Sequence, residues 1–521
     1  MDLQQILERA VRFYPEHPAV VCGTTQLTYR ALAERVRRLC HGLQRLGITK
    51  GDRLAILMYN CHRYFELYYA TAEMGTLAVP LNIRLSASEI AYILNNSGSN
   101  TLFVGPEFLP LLAEIRDQLP ALRHCIFTGD GPPPAGFHSY EQLLDAASAD
   151  FPPTPVVPED LAALFYTSGT TGHPKGVMLS HANLLANAYH ILASMSWQEG
   201  EVYLHACPMF HIADGPTSHF ITWLGGTHVI IPGFKPDLAL EVIEREHVTA
   251  TLLIPTMINF LIHHPDVSKR DLRALRRIAY GGAPMPAELA RQAMQTLTCA
   301  FTHLYGLTEA APLLTCLPPE EHVADGPPEK VRRLLSCGRG IIGVRVRVVN
   351  ERGQDVKPDE VGEIIAKGPN VMVGYWNKPQ ETADALRDGW LYTGDLATVD
   401  REGYIYIVDR KKDMIITGGE NVFSTEVENV LYTHPAILEA AVVGVPDATW
   451  GEAIKAIVVL KPGMQASAEV IIAHCRSHIA QFKVPRSVDF CEGALPKSGS
   501  GKILKRELRE KYWVGQDRRV H

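Results

Sequence analysis

Residues 166–176 read Tyr166-Thr167-Ser168-Gly169-Thr170-Thr171-Gly172-His173-Pro174-Lys175-Gly176. Four aliphatic hydroxyls, three glycines and one lysine fall in this single stretch. Glycines let backbone N–H groups turn inward and approach an anion; hydroxyls add donors, and a lysine adds a point charge. That is the equipment a polyphosphate needs. The stretch is not a P-loop, because Gly-x-x-x-x-Gly-Lys-Ser/Thr is absent. Short apolar runs, Leu161 to Phe165 and Val177 to Leu179, flank it and predict strand, loop, strand.

Further polar residues stand where short apolar runs end. They occur in Tyr305-Gly306-Leu307-Thr308-Glu309, Tyr392-Thr393-Gly394-Asp395, Asp409-Arg410-Lys411-Lys412-Asp413 and Pro496-Lys497-Ser498-Gly499-Ser500-Gly501-Lys502. With the first stretch, these motifs resemble, in order and over nearly the whole chain, the acyl-adenylate-forming (ANL) superfamily. That superfamily holds the AMP-dependent synthetases and ligases, with fatty acyl-CoA synthetases the nearest in type. The resemblance implies a large adenylate-forming domain over 1–411 and a mobile C-terminal domain over 412–521, with a hinge at 409–413.

The elements that must position these residues alternate. Leu27 to Leu46 has helical spacing, Arg53 to Met58 reads as a strand, Phe65 to Met74 as a helix and Ala78 to Leu81 as a strand. Strands are expected over Glu201–Ala206, Thr249–Ile254, Arg277–Tyr280 and Ala300–Tyr305, with a helix starting near Pro286. This is the rhythm of an α/β fold with crossover helices, whose ligands bind at the carboxyl ends of strands. From Val361 the texture turns to β, giving a β-rich subdomain. A small α+β C-terminal domain follows, with strands over Ala440–Val445 and Ala453–Leu460 and a helix over Ser467–Ile479. Thr425 with Glu428 fits a capping box. Ser424 stands where many relatives have proline and is expected to cap the same helix.

Composition bounds the function. At 521 residues the chain is too long for one core. A net charge of −7 gives no general attraction to nucleic acid. Residues 480–521 are nevertheless basic, which suits an anionic cofactor or a peripheral membrane contact. Ten scattered cysteines form no Cys-x-x-Cys pair, which argues against zinc and for a reducing compartment, so a cytoplasmic location is expected. The N-terminal residues lack a secretory signal, and no apolar run is long enough to span a bilayer. A homodimer is compatible with all of this.

The resemblance implies a reaction: ATP activates a carboxylic acid to acyl-AMP, and coenzyme A takes the acyl group, releasing AMP and pyrophosphate. Two anions must meet, repelling by about 4 kcal/mol at ~4 Å near a protein surface, so the site must supply cations and N–H donors. By the resemblance, Thr167, Ser168, Gly169, Thr170, Thr171, Gly172 and Lys175 bind phosphates. Tyr305, Gly306, Gly282, Ala283 and Pro284 wall the adenine, and Asp395 and Arg410 take the ribose. Thr308 touches the α-phosphate and Glu309 ligates Mg²⁺. Lys502 bridges the carboxylate and the α-phosphate. Lys412 is the hinge about which the small domain turns. Turning withdraws Lys502 and brings in the loop with Gly418, Gly419 and Glu420, and Lys483, for thioester formation.

In amino-acid-activating relatives an Asp follows the Phe of the Pro208-Met209-Phe210 type of stretch; here His211 does. That lowers the case for an amino-acid substrate, and by the resemblance His211 is expected at the reaction centre. Ala213, Gly215 and Thr217 are small and are expected to leave room for an acyl chain. A medium- or long-chain fatty acid is the expected substrate. An aryl acid of the cinnamate or benzoate type, or loading of a carrier protein, is the alternative.

Overall fold

The computed structural model describes residues 2–167, 174–215, 219–411, 413–447, 449–498 and 501–514. Short apolar runs bounded by turn residues become strands, as their spacing predicts, and assemble into two large sheets. One carries, side by side and parallel, Thr227–Ile230, Val202–His205, Ala250–Leu253, Arg277–Gly281 and Ala300–Gly306. The other pairs Leu161–Thr167 with Lys175–Ser180 in antiparallel register, Thr167 opposite Lys175, so the hydroxyl-rich stretch joins two adjacent strands. Behind Leu161–Thr167 lie Leu77–Pro80, Arg53–Leu57 and Thr101–Val104, all parallel. One apolar core runs between the two sheets.

Helices cover the sheets by burying one face. Tyr29–Arg45 buries Leu32, Val36, Leu39 and Leu43, each stabilising by about 1.5–3 kcal/mol. Thr28 caps it by accepting the Ala31 N–H. The helix therefore starts after Leu27, which belongs to the strand Thr25–Thr28, and the predicted helical start at Leu27 is corrected. Pro255 opens the helix Pro255–Ile262; its missing N–H costs nothing in a first turn.

A smaller sheet, including Arg345–Val349, Gly362–Lys367, Trp390–Val399 and Ile405–Arg410, follows the two large ones. It sets Asp395 directly opposite Arg410. The small C-terminal domain is built on the long hairpin Ile437–Asp447 and Gly451–Leu460, with its own cores. Its first helix, Ser424–Tyr432, corrects two expectations. The residue before it, Phe423, gives no side-chain cap, and Ser424 lies inside it. The Ser424 N–H and Oγ–H both donate to Asp409 Oδ2, at 2.7 and 2.8 Å. Glu428 does not reach back to a capping position: its carboxylate accepts the Val442 N–H at 2.7 Å and pairs with Lys505 at 2.8 Å. Tertiary partners outbid the local capping bond.

Candidate active site

Four segments distant in sequence converge at the ends of these strands. The strand Ala300–Gly306 delivers Tyr305 and runs into the short turn Thr308–Ala310. Gly306 has no room for a side chain: a Cβ there would lie 1.8 Å from the Pro312 carbonyl oxygen. The Tyr305 hydroxyl donates to Asp395 Oδ2 at 2.8 Å, and Arg410 Nε lies 3.2 Å from Asp395 Oδ1. Burial and then the Asp395 charge push the Tyr305 phenol well above its ordinary value, so it stays a donor. Asp395 is thus oriented through both oxygens.

Glu309 is held from two sides. Its carbonyl accepts the Met372 N–H at 2.8 Å, and its Oε1 accepts the Tyr375 hydroxyl at 2.9 Å. Tyr375 lies on the two-residue strand Gly374–Tyr375, opposite Val177 of Lys175–Ser180. The Lys175 ammonium sits over the Tyr375 ring, 5.1 Å from its centre. The start of that strand and the Glu309 carboxylate therefore share one tyrosine. Ser168, Gly169, Thr170, Thr171 and Gly172 lie outside the described residues; Thr167 and Lys175 stand opposite each other at the mouth of their loop.

Lys502 comes from the small domain yet stands in this cleft. Its aliphatic Cε lies 3.6 Å from the Cβ position of Gly282, which has φ +79°. The turn that carries it closes on itself, with Lys502 N–H donating to Ser498 Oγ at 3.1 Å and Ser498 N–H donating to the Lys502 carbonyl at 2.7 Å. It is docked by Arg84, which donates to the Ser498 carbonyl at 3.0 Å. Gly501 is required: its φ is +84°, and a Cβ would fall 2.2 Å from Ile254 Cδ1. Desolvation, then repulsion from Arg410, pulls the Lys502 ammonium down to about 8; Asp395 and Glu309 pull the other way.

His211 occupies the turn after the strand Val202–His205. Its Nδ1 accepts the Ala213 N–H at 3.2 Å, so a neutral ring carries its proton on Nε2. Desolvation, then the Lys502 charge, lowers the imidazole to about 3, which keeps it neutral. Asn60 clamps the turn by donating to the Cys207 carbonyl at 2.8 Å and accepting the Met209 N–H at 2.7 Å. Tyr68 donates to the Met209 carbonyl at 2.6 Å. Gly215 does not leave free space on its Cβ side, as its size had suggested. A Cβ would meet the Met209 carbonyl oxygen at 2.4 Å and the Tyr68 hydroxyl at 2.6 Å. Ala213 is half-buried, and Thr217 lies outside the described residues.

The remaining expected residues sit apart. Lys412 lies outside the described residues. Gly418 and Gly419, with φ +60° and +84°, turn the hairpin between Ile415–Thr417 and Glu420–Val422. Gly418 N–H donates to the Trp450 carbonyl at 2.8 Å, and Glu420 is exposed. Lys483 pairs with Glu426 at 2.7 Å. These groups belong to the small domain's own surface in this pose. Ala283 is half-buried and Pro284 exposed beside Gly282. Sequence reasoning missed Tyr375, Asn60 and Tyr68, whose partners are brought in only by sheet pairing and helix packing.

Residues 7–376 match the AMP-binding enzyme family, and residues 426–502 match the AMP-binding enzyme C-terminal domain. The chain belongs to the AMP-binding enzyme family. The expected ANL membership and the AMP-forming acid–CoA ligase class therefore hold. A feruloyl-CoA synthase of Amycolatopsis sp is 41% identical over 97% of this chain and 98% of its own. The fatty acid–[acyl-carrier-protein] ligase ScoC of Streptomyces coeruleorubidus is 37% identical over 99% and 98%. The anthranilate CoA ligase AuaEII, solved with anthranoyl-AMP, superposes with a TM-score of 0.91 at 27% identity, over 98% and 97%. Among the described residues no helix is long and apolar enough to cross a membrane.

Proposed function

We propose that the chain converts an aryl carboxylic acid of the cinnamate or benzoate type to its acyl-CoA through an enzyme-bound acyl-AMP. The observation that carries the adenylation step is Lys502. A lysine of the small domain lies in the large domain's cleft, close enough to Asp395, Arg410 and Glu309 for each to shift its proton affinity. A cation at that point is what two approaching anions require.

We assign the roles as the resemblance implies them, with the described contacts in support. Thr167 to Lys175 cradles the phosphates. Asp395, already held by Tyr305 and Arg410, accepts the ribose hydroxyls. Tyr305, Gly306 and Gly282 to Pro284 wall the base, and Thr308 faces the α-phosphate. A carboxylate oxygen of the acid attacks the α-phosphorus and pyrophosphate leaves. Lys502 neutralises the charge that gathers between them, and the Nε2–H of His211 donates to the acid's oxygen. Glu309 fits a Mg²⁺ ligand, because Tyr375 occupies Oε1 and the Lys175 end of the phosphate loop is adjacent. When bound, Mg²⁺ supplies positive charge to the phosphate oxygens.

The acyl-AMP must then meet a thiol without meeting water. We take 1–411 and 412–521 as the two moving bodies and Lys412 as their hinge. Rotation withdraws Lys502 and presents Gly418, Gly419, Glu420 and Lys483. Thiolate attack on the acyl carbon releases AMP. The ten cysteines are all free, which fits the reducing cytoplasm in which such a thiol is available.

The aryl reading is supported by the 41% identity to a protein named feruloyl-CoA synthase and the 0.91 superposition on an anthranilate CoA ligase. The carrier-protein reading keeps the 37% identity to ScoC as support, and the fatty-acid reading keeps that and the 34–36% identity to proteins named fatty-acid–CoA ligases. Pyrophosphate release across ferulate, benzoate and C8 to C16 acids, with and without CoA, separates them. Ferulate or benzoate should give the highest kcat/KM, with CoA required for turnover. A preference for the C16 acid, or turnover only with an acyl carrier protein, overturns the aryl–CoA reading.

A further inference from the structure

Behind the turn that carries His211 lies a chain of polar side chains that the reaction as described does not use. His205 ends the strand Val202–His205, and His228 lies on the neighbouring strand Thr227–Ile230. Both are fully buried, as are Asp214 and Thr222. Tyr69 O–H donates to Thr222 Oγ1 at 2.7 Å. Thr222 Oγ1 lies 2.8 Å from His228 Nε2, and His228 Nδ1 lies 3.0 Å from His205 Nε2. His205 Nδ1 faces Asp214 Oδ2 at 3.2 Å, off ideal hydrogen-bond alignment. Tyr203 O–H reaches Asp214 Oδ1 at 3.4 Å.

One assignment of protons satisfies each hydrogen bond of the chain and leaves the His205–Asp214 contact as a 3.2 Å approach short of a hydrogen bond. Thr222 gives its hydroxyl proton to His228 Nε2. His228 then carries its own proton on Nδ1 and gives it to His205 Nε2. That leaves the Nδ1–H of His205 for Asp214. Burial holds the His228 imidazole well below its ordinary value, in keeping with a neutral ring. The hydrogen bonds from Tyr69 through Thr222 and His228 fix the His205 ring, and burial makes its 3.2 Å approach to Asp214 costly to disturb.

Asp214 links that chain to the site. Its N–H, and that of Gly215, donate to the His211 carbonyl at 3.1 and 3.2 Å. Asn60 and Tyr68 hold the front of the same turn. We propose that the chain Asp214–His205–His228–Thr222 is a positioning element that fixes the back of the turn and so aims His211 at the acyl centre. It touches neither ATP nor acid. The inference rests on the proposed role of His211.

The test measures the adenylation half-reaction by pyrophosphate exchange in Asp214→Ala, Asp214→Asn, Thr222→Val and His211→Ala. Misplacing a reacting group by about 1 Å costs up to roughly 10²-fold. Asp214→Ala should therefore lower kcat by roughly 10- to 100-fold, with KM for ATP unchanged. Asp214→Asn keeps an oxygen for His205 and should recover to within about threefold of the native rate. Thr222→Val removes the hydroxyl that selects the His228 tautomer. It should lower kcat in the same direction and mix the tautomers seen in ¹⁵N-histidine spectra. Three results overturn the proposal: a native kcat in folded Asp214→Ala, a KM for ATP that rises in step with the loss, or an Asn variant as poor as Ala. Where Asp214→Ala does not fold, Thr222→Val with native kcat and tautomers overturns it instead. A native rate in His211→Ala would refute the role of His211 itself. Impairment there with native behaviour in Asp214→Ala would refute only the positioning chain.

Discussion

The alkaline limb of adenylation should belong to Lys502. Desolvation and the nearby Arg410 bring its ammonium down to about 8, against 10.5 for an ordinary lysine. The ammonium is the useful form, so activity is present below that value and is lost as pH rises through it. In the free enzyme the charged fraction falls from about 0.9 at pH 7 to about 0.1 at pH 9. The kcat/KM for pyrophosphate formation, which reports the free enzyme, should therefore drop roughly tenfold over that interval. A lysine at its ordinary value would lose only a few per cent. Phosphates favour the ammonium, so the limb in kcat should move to higher pH at saturating ATP. Lys502→Arg, always charged, should keep reduced activity and lose the limb. The rates are read by ATP–pyrophosphate exchange, which turns over without CoA, whose thiol titrates in the same range. A flat kcat/KM to pH 9.5, or a limb that survives in Lys502→Arg, refutes the assignment.

Tyr375→Phe removes the hydroxyl that orients Glu309 and should raise the Mg²⁺ concentration for half-maximal rate about tenfold, with weaker Mn²⁺ binding by electron paramagnetic resonance in the presence of a non-hydrolysable ATP analogue. Ser424→Ala deletes one hydrogen bond to Asp409 across the two proposed bodies, worth about 1.5–3 kcal/mol to a charged acceptor. It should shift the ratio of thioester formation to adenylation several-fold toward thioester formation, read from the two half-reactions separately; an unchanged ratio counts against a latch there. Lys502→Ala should slow adenylation roughly 10²- to 10³-fold and spare thioester formation from preformed acyl-AMP. Lys412→Pro, with φ locked near about −65°, should do the reverse.

Much of this site was legible because its parts are local. Glu309, Asp395 and Lys502 each sit in a short run of glycine and hydroxyl residues, although Asp395 lies within the strand Trp390–Val399 and not at its end, and apolar runs around them are too short for anything but strands. What was not legible depends on pairing across the chain. Leu27 continued a helical spacing, but Thr28 caps the helix and leaves Leu27 in the preceding strand. Thr425 and Glu428 have capping-box spacing, yet Val442 and Lys505 claim the Glu428 carboxylate. Tyr375 meets Glu309 only because a two-residue strand pairs with Lys175–Ser180. Gly215 looked like free space from its size alone, and Tyr68, from a helix far earlier, fills it. His205, His228 and Asp214 carry no motif; adjacent parallel strands and one turn bring them together.

The central claim is that the acid's own oxygen attacks the α-phosphorus while Lys502 lies in the cleft. A single turnover with ferulate labelled with ¹⁸O in both carboxylate oxygens, ATP, Mg²⁺ and CoA, followed by mass spectrometry of the products, tests it directly. The account predicts one ¹⁸O in AMP, unlabelled pyrophosphate and one ¹⁸O in the thioester. Unlabelled AMP, or ADP with ¹⁸O in inorganic phosphate, would contradict it.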